Sequence, residues 1–234
     1  MSLLLEVAVT RVDDVAGAVE GGADRLSFDV DGRSPDVPTA AAVLRASDVP
    51  VRVLLRLDDS YTTTGGELAR LVGLGEEYLG LGAEGVSFGF LDADLEIDVD
   101  TTSALARALP GVPWTFHRAV DATLDPVRAW RRLVRLPELT AVASGGSPQG
   151  LEQGYDDLLA LAGADPDVAR LLLPAGGLTA EQVPWLARAG VTQFHLGPQA
   201  RPGGSAKAFV DAGLVRSWRL LLDRAAELPG RRTS

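Results

Sequence analysis

The stretch Gly22-Ala-Asp-Arg-Leu-Ser-Phe28 occurs a second time in this chain, as Gly82-Ala-Glu-Gly-Val-Ser-Phe88. Both copies read Gly, Ala, acid, any residue, aliphatic, Ser, Phe, and they lie 60 positions apart (82 minus 22). Two βα units of about 30 residues each would produce this offset and would place both copies at the start of even-numbered strands. The alternative explanation is chance, together with the residue pattern that many helix-to-strand turns share.

Short aliphatic or β-branched runs alternate with longer segments of helical periodicity along the chain, which is typical of parallel βα units. The candidate strands are residues 3–9, 25–29, 51–57, 85–90, 113–117, 140–144, 170–174 and 193–196. Eight such units in a chain of 234 residues predict an α/β fold, a TIM (β/α)₈ barrel. We predict a single domain over residues 1–234, with a loose tail at about 229–234.

The segments between the candidate strands carry helix signals. Apolar residues recur at three- and four-residue spacing in 67–81, 126–136, 179–189 and 211–227. Thr179 is expected to cap its helix with Glu181 and Gln182 in the first turn. A left-handed position at the helix end is expected for Gly22, Gly82 and Gly190.

Composition excludes several classes of protein. The net charge of −10 and a sequence pI near 4.7 argue against a nucleic-acid partner, which requires a basic patch. No apolar run approaches the roughly 20 residues of a membrane span, and no signal-type segment is apparent at the N-terminus, so we expect no membrane partner and a cytoplasmic location. The absence of cysteine excludes disulfides and thiolate-bound metals.

The period-two pattern of the strands places several ionisable side chains inside the predicted barrel. Helices cover the outside, so the larger apolar set of each strand should face outward, which leaves Glu6, Arg56, His117 and His195 facing the axis. The first three come from strands 1, 3 and 5 and are expected to meet in one layer, where Arg56 would keep Glu6 ionised and a carboxylate would raise the pKa of His117. The alternative is a buried Glu6–Arg56 pair with a hydrogen-bonded His117 that does no chemistry.

A candidate anion site follows at the carboxyl ends of the strands, where barrel enzymes place their sites. Arg118 directly follows strand 5 and could hold a carboxylate or phosphate through its forked donors, and Asp121 either orients Arg118 or belongs to the turn before Pro126. Strands 6 and 7 end in glycine-rich turns whose amides are suited to an anion, although such turns also serve tight connections; the candidate residues are Ser144, Gly145, Gly176 and Gly177. The histidines with Glu6 or Asp29 could make a facial metal site, but no HxH or HExxH spacing occurs, and we predict no metal site.

The order of these motifs resembles the CutC, or copper homeostasis, family over roughly residues 3–200. The most specific element is Thr-Phe-His-Arg-Ala-Val-Asp at 115–121; the others are Leu-Glu-Val at 5–7, Gly-Gly-Ala-Asp-Arg-Leu at 21–26, Arg56, Ser-Gly at 144–145, Gly-Gly-Leu-Thr at 176–179 and Phe-His at 194–195. The resemblance implies a TIM barrel, a cytoplasmic location, frequent homo-oligomers and an association with copper. It supplies no enzymatic activity.

Departures from the family pattern bear on copper directly. Where the family commonly has cysteine, in the first strand and at the end of the second, this chain has Ala8 and Asp29, and Ser27 stands where a glutamate is usual. Cuprous ion prefers thiolate and thioether ligands, and the chain offers no cysteine and one methionine. Copper is therefore a cofactor that the family name implies and the residues do not support.

Three hypotheses about function remain from the sequence. The first is a CutC-like barrel assigned to copper homeostasis by resemblance, without tight copper binding. The second is a metal-independent enzyme that acts on a small phosphate or carboxylate, with His117 as acid or base, Glu6 as its partner, His195 as a second proton carrier or donor, and Arg56 and Arg118 as the anion clamp. The third is a non-catalytic metabolite-binding barrel in which the same charges only stabilise the fold.

Overall fold

Eight parallel strands form the centre of this computed structural model, which describes residues 2–227. The strands are β1 (Leu4–Val9), β2 (Arg25–Phe28), β3 (Val51–Leu54), β4 (Gly85–Phe88), β5 (Trp114–Phe116), β6 (Leu139–Ser144), β7 (Leu172–Pro174) and β8 (Gln193–Leu196). They are hydrogen-bonded in the order β7-β6-β5-β4-β3-β2-β1-β8, and β7 packs beside β8, so the sheet forms a nearly closed barrel. The predicted TIM-barrel fold is confirmed, and the tail predicted at 229–234 lies outside the described residues.

Nine α-helices in residues 2–227 follow the strands and cover the outside of the barrel. They are α1 (Asp13–Gly21), α2 (Val37–Ala46), α3 (Gly65–Gly80), α4 (Val99–Ala108), α5 (Pro126–Leu133), α6 (Leu151–Ala164), α7 (Pro166–Leu171), α8 (Val183–Arg188) and α9 (Ala212–Ala226). The pair α6 and α7 together connect β6 to β7. No helix within these residues is both long and apolar enough to cross a bilayer.

One predicted helix start is wrong. Thr179 does not cap α8, because the helix begins only at Val183 and residues 180–182 form a turn. The backbone N–H of Thr179 instead donates to Oε1 of Gln182 at 2.9 Å. The glycines at helix ends behave as expected: Gly22, Gly82 and Gly190 have φ values of 95°, 102° and 101°.

The sequence echo marks two equivalent units of the barrel. Its copies end in β2 and β4, which confirms that they lie in even-numbered strands. Phe28 and Phe88 close the copies and are each 1% exposed. The serines before them, Ser27 and Ser87, point the other way and line the inside of the barrel mouth. Each copy of the repeat therefore directs a serine into the barrel and a phenylalanine toward the surrounding helices.

The outward faces of the strands form the core with the helices. In β1, Leu5, Val7 and Val9 are 0% exposed, as expected for the larger apolar set beneath a helical layer. The alternate residues face the axis, where the barrel carries polar and charged side chains instead of the usual branched aliphatics.

A buried ion pair fixes the seam between the first and last units. Arg201, which follows β8, donates from Nη1 and Nη2 to the two carboxylate oxygens of Asp14 in α1, at 2.8 and 2.7 Å. The backbone amides of Thr10 and Val210 also donate to Asp14. Because both side chains are at most 5% exposed, this bidentate contact ties the segment before α9 to the start of α1.

Candidate ligand-binding site

A cavity of about 260 Å³ opens at the carboxyl ends of the strands. Inward side chains of the strands line its walls, and the first residues of the following loops line its rim. The structure brings five of the predicted residues to this cavity, which are Glu6, Arg56, His117, Arg118 and His195. Asp121, Ser144, Gly145, Gly176 and Gly177 lie behind the rim and do not line it.

Glu6 forms an ion pair with a residue that the sequence analysis did not single out. Nε of Arg25 in β2 lies 2.5 Å from the Glu6 carboxylate, and the two side chains are 6% and 3% exposed. Burial acts to raise the pKa of Glu6, but the charge of Arg25, reinforced by His195 and Arg52, lowers it below its ordinary value. The expected Glu6–Arg56 pair is wrong, because β1 registers Glu6 directly against Arg25. The alternation of β2, in which Arg25, Ser27 and Asp29 share a face, could have found this partner.

A second buried arginine spans the floor of the cavity. Arg52 in β3 is 3% exposed; its Nε donates to Glu84 at 2.9 Å and its Nη1 to Thr115 Oγ1 at 2.8 Å. The alternation of β3, in which Arg52, Leu54 and Arg56 share a face, is consistent with an inward Arg52, but it does not identify Glu84 as a partner, since Glu84 precedes β4. The floor is thus built from paired charges, which leaves the rim to supply groups for a ligand.

His117 is held as a neutral imidazole. It is the last residue before a 3₁₀ helix (Arg118–Ala122), and its Nδ1 accepts the N–H of Ala119 at 3.1 Å, so the ring hydrogen belongs on Nε2. Burial, together with the charge of Arg56, lowers the pKa of His117 to about 4. The expectation that a carboxylate raises this pKa is wrong, because Glu6 pairs with Arg25 instead. Near neutral pH His117 can donate a hydrogen bond from Nε2 but is a poor proton carrier.

His195 contacts Ser27 across the β1 side of the mouth. Its Nε2 lies 3.2 Å from Ser27 Oγ, and its Nδ1 is buried without a hydrogen-bonding partner among residues 2–227. Burial lowers the pKa of His195, although the nearby carboxylates of Glu6 and Asp29 act to raise it. This second imidazole is therefore also neutral near pH 7.

Arg118 is fixed on three sides at the rim. Its Nε donates to Asp121 at 2.8 Å, and its Nη2 donates to the carbonyl oxygens of Ser147 and Pro148 at 3.0 and 3.3 Å. Within the described residues its Nη1 has no hydrogen-bonding partner. A guanidinium held in this way is preorganised to present Nη1 to an anion in the cavity.

Asp121 orients Arg118, which is one of the two roles that the sequence suggested for it. Its carboxylate also binds the donors of the glycine-rich turn after β6. Its carboxylate accepts the Ser144 hydroxyl at 2.6 Å and the backbone N–H groups of Gly145 and Gly146 at 2.9 and 3.2 Å. Ser144 and Gly145 were predicted to bind an external anion. The structure gives these donors an internal carboxylate instead, so a ligand would meet them only through Arg118.

The glycine-rich turn after β7 leaves space for the Arg118 guanidinium, which lies against Gly176. Gly176 and Gly177 have φ values of 87° and 99°, which side chains rarely adopt. A Cβ atom at Gly176 would lie 2.8 Å from the Arg118 guanidinium, whereas one at Gly177 would meet nothing within 4 Å. Gly176 is therefore required for the position of the arginine, in addition to its turn.

Arg56 lies on the far rim, above Tyr61. Its Cζ is 4.9 Å from the centre of the Tyr61 ring, and its Nη2 donates to the carbonyl oxygen of Asp59 at 2.6 Å. Its Nε is buried and lacks a partner within residues 2–227. Since Asp59 gives its carboxylate to Arg33, Arg56 adds a positive charge that no carboxylate neutralises by direct contact.

Metal donors do not converge in residues 2–227. No group of three His, Cys, Asp or Glu side chains in this part of the chain could hold a metal ion. His117 Nδ1 is engaged by a backbone amide and His195 Nε2 by Ser27, and the positions where the family resemblance implies cysteine hold Ala8 and Asp29. The donor set therefore does not fit a tight cuprous site.

Known proteins similar to this chain share its sequence pattern and its fold. A protein of Xanthomonas campestris named family protein CutC is 30% identical over 82% of this chain and 81% of its own length, and the human protein named copper homeostasis protein cutC homolog is 30% identical over 82% of this chain and 72% of its own length. The crystal structure of the putative copper homeostasis protein CutC from Streptococcus agalactiae matches with a TM-score of 0.71 at 21% identity, covering 83% of this chain and 98% of that one. The thiamine phosphate pyrophosphorylase of Pyrococcus furiosus, at 13% identity, a TM-score of 0.64 and coverage of 95% and 96%, shares the barrel fold.

The CutC family model matches residues 3–200, which contain every strand of the barrel and every residue of the cavity described above. The fold, the cavity and this match agree, and the chain belongs to the CutC family.

Proposed function

We propose that the barrel mouth of this CutC family protein binds a small anion, a phosphate or a carboxylate. Any part that the chain plays in copper homeostasis, which the name of its human relative suggests, would then depend on this ligand and not on tightly held copper. The observation that carries the proposal is Arg118, which lines the cavity; its guanidinium is fixed by Asp121 and two carbonyl oxygens, and its Nη1 has no hydrogen-bonding partner within residues 2–227. A fixed, partly desolvated guanidinium is a strong anion donor, because its orientation is set before binding.

Two further groups around the cavity support an anion. Arg56 contributes a charge that has no carboxylate in contact among the described residues, and the Tyr61 ring packs against its guanidinium. His117 contributes a neutral Nε2–H, whose donor character is fixed by the bond from Ala119 to Nδ1. A donor that stays neutral adds hydrogen bonding without depending on pH near 7.

Copper as a tightly bound ligand is not supported by the donor set. The described residues contain no convergent set of three metal ligands, and the whole sequence contains no cysteine. Soft thiolate and thioether donors are what cuprous ion selects. We therefore expect copper to be absent from a stoichiometric complex with this protein.

The test is a thermal-shift and calorimetric screen with inorganic phosphate, small organic phosphates and carboxylates, beside Cu(I), Cu(II) and Zn(II). Selective binding to the native state raises the apparent unfolding temperature. We expect an anion to stabilise the protein, and Cu(I) to be lost to a competing chelator. Arg118→Ala should lower the affinity for the anion roughly tenfold or more, since hydrogen bonds to charged groups contribute about 1.5–3 kcal/mol.

The matched control is Arg131→Ala, which removes an exposed arginine of α5 that forms no ion pair in the described part of the chain. It should leave the anion affinity and the unfolding temperature unchanged. Arg118→Ala should lower the unfolding temperature of the unliganded protein, because Asp121 is 2% exposed and loses its cation, so the affinities are compared by calorimetry below that temperature. An anion shift that survives Arg118→Ala would remove Arg118 from the site. Retention of one Cu(I) per chain against the chelator would show that thiolates are not needed.

Location and assembly are proposed from the family resemblance alone. It implies a cytoplasmic protein and frequent homo-oligomers. Light scattering of the purified full chain would give the subunit number.

A further inference from the structure

The barrel mouth carries opposite charges on opposite sides. Arg118 lies two residues beyond the end of β5, after His117. Asp29 directly follows β2, and both side chains line the same cavity. Because β3 and β4 lie between these strands in the ring, the guanidinium and the carboxylate face each other across the opening. A ligand that fills the cavity from the Arg118 side therefore approaches Asp29.

Asp29 is a carboxylate without a cation. Its Oδ1 accepts the backbone N–H of Gly32 at 2.7 Å, and it forms no ion pair within residues 2–227. Burial raises the pKa of Asp29 and the charge of Asp31 raises it further, although the amide of Gly32 and the charge of Arg201 act to lower it. Glu6, the other carboxylate in the cavity wall, differs because Arg25 neutralises it.

The cationic groups near Asp29 are engaged elsewhere. Arg201 gives both of its terminal nitrogens to Asp14. Arg56 is held by Tyr61 and the carbonyl oxygen of Asp59. His195 is neutral near pH 7, because burial lowers its pKa. A partly buried carboxylate in this position is costly unless a counter-charge arrives, and residues 2–227 do not provide one in contact.

We propose that the ligand of the mouth is a small zwitterion, whose anionic group binds Arg118 and whose ammonium group binds Asp29. This inference rests on the proposed anion site and names the chemical class of its ligand. An ammonium brings three hydrogen-bond donors and a positive charge to the carboxylate, while the phosphate or carboxylate at its other end meets Nη1 of Arg118. The cavity of about 260 Å³ limits the ligand to a small molecule in which a short chain joins the two groups.

The test compares two ligands that differ only in the ammonium group, 2-aminoethyl phosphate and ethyl phosphate, by calorimetry with the full chain. The measurement is made at pH 8, because a high pH favours the ionised form of a carboxyl whose pKa is raised, while the amine is still protonated. We expect the wild type to bind 2-aminoethyl phosphate about tenfold more tightly, as a charge-assisted hydrogen bond would provide.

Asp29→Asn tests the assignment, because it keeps the shape of the side chain and removes its charge. In this variant the ratio of the affinity for 2-aminoethyl phosphate to that for ethyl phosphate should fall to about one. Ethyl phosphate should bind at least as tightly as before, since the substitution removes a negative charge from the mouth. Asp31→Asn is the matched control: Asp31 is an exposed carboxylate on the same loop, and asparagine tolerates its φ of 52°. This control should keep the tenfold preference.

The outcomes separate the two proposals. If the wild type binds ethyl phosphate through Arg118 but does not prefer 2-aminoethyl phosphate, the proposal of a zwitterionic ligand is wrong and the proposal of an anion site is retained. If it binds neither phosphate, nor any other anion of the screen, both proposals fail. A preference that persists in Asp29→Asn would assign the ammonium to another group, which also overturns the inference. If Asp29→Asn does not fold, the comparison of the two ligands in the wild type still decides.

Discussion

The residue that most changes the expected chemistry is His117. Its position before the 3₁₀ helix lets Nδ1 accept the N–H of Ala119, and that contact determines which nitrogen carries the hydrogen. Proton transfer by this ring would require an imidazolium in a buried place beside Arg56. The structure thus favours a hydrogen-bond donor over an acid or base at this position.

The pH dependence of stability should report on His117. The pKa is about 4 in the folded protein, against an ordinary value of 6.5 for histidine, so below pH 6.5 the unfolded chain binds a proton that the folded chain does not bind. Stability is therefore fully present above about pH 6.5 and is lost as the pH falls toward 4, by about 2 kcal/mol between pH 6.5 and pH 5 from this group. Urea unfolding at the two pH values measures the loss.

The control for this prediction is His117→Asn, whose side-chain oxygen can still accept the N–H of Ala119. It should lose less stability on acidification than the wild type, with the remainder due to His195 and the carboxylates. A proton NMR titration of the wild type that placed His117 near pH 6.5 would contradict the lowered pKa.

At the scale of elements, the loops after β5, β6 and β7 act as one support for a single guanidinium. Asp121 on the first loop joins Arg118 to the amides of Gly145 and Gly146 on the second. Gly176 on the third loop leaves the space in which the guanidinium lies. The glycines of the rim are thus used to place an arginine, and the anion contacts pass through that side chain.

Gly176→Ala should separate this role from ordinary turn strain. The substitution adds a Cβ at 2.8 Å from the Arg118 guanidinium and a side chain at a φ of 87°. We expect a loss of about 1–3 kcal/mol in stability and a loss of anion affinity of roughly tenfold, because the arginine must move. Chemical unfolding and anion titration provide the two measurements.

Gly177→Ala is the matched control, since its φ of 99° gives similar strain while its Cβ would meet nothing within 4 Å. It should reduce stability and leave the affinity for the anion nearly unchanged. Equal losses of affinity in the two variants would mean that the turn as a whole, and not the space for Arg118, is what the anion requires.

At the scale of the whole molecule, the barrel interior is built on buried charges. The pair Glu6–Arg25 and the group Arg52–Glu84–Thr115 replace the aliphatic layers that usually fill such barrels. Paired charges in a dry interior are not strong stabilisers, but each partner becomes costly when the other is removed. The stability of the barrel interior therefore depends on both members of each charged pair being present.

A double-mutant cycle on Glu6 and Arg25 tests this dependence. Arg25→Met should cost about 3–5 kcal/mol of unfolding free energy, because it leaves the Glu6 carboxylate buried without its cation. Adding Glu6→Gln should recover a large part of that loss, which denaturant unfolding of the four proteins would measure.

The exposed pair Arg33–Asp59, with side chains 50% and 78% exposed, is the control. Asp59→Asn should change the stability by less than about 1 kcal/mol. A cost of similar size for the two pairs, or no recovery in the double variant at Glu6 and Arg25, would show that the interior pair is solvated.

Much of the barrel could be predicted from the sequence, because strand and helix periods and the echo at 22–28 and 82–88 are local signals. Inward positions such as Glu6 and His195 followed from the same alternation. Their partners could not be predicted, because whether Arg25 or Arg56 meets Glu6 depends on the register between strands. Asp29 entered the sequence analysis only as a missing cysteine and as a possible metal ligand, since its unpaired state is a property of the assembled mouth.

The ion pair between Asp14 and Arg201 has a consequence for the order of folding during translation. Its partners lie 187 residues apart, and β1 meets β8 directly beside them. While the ribosome is still synthesising the second half, β1 has β2 on one side and an uncovered edge on the other, and such open edges invite aggregation. Ring closure must therefore wait until β8 has emerged, and we expect the uncovered edge of β1 to be prone to aggregation until then.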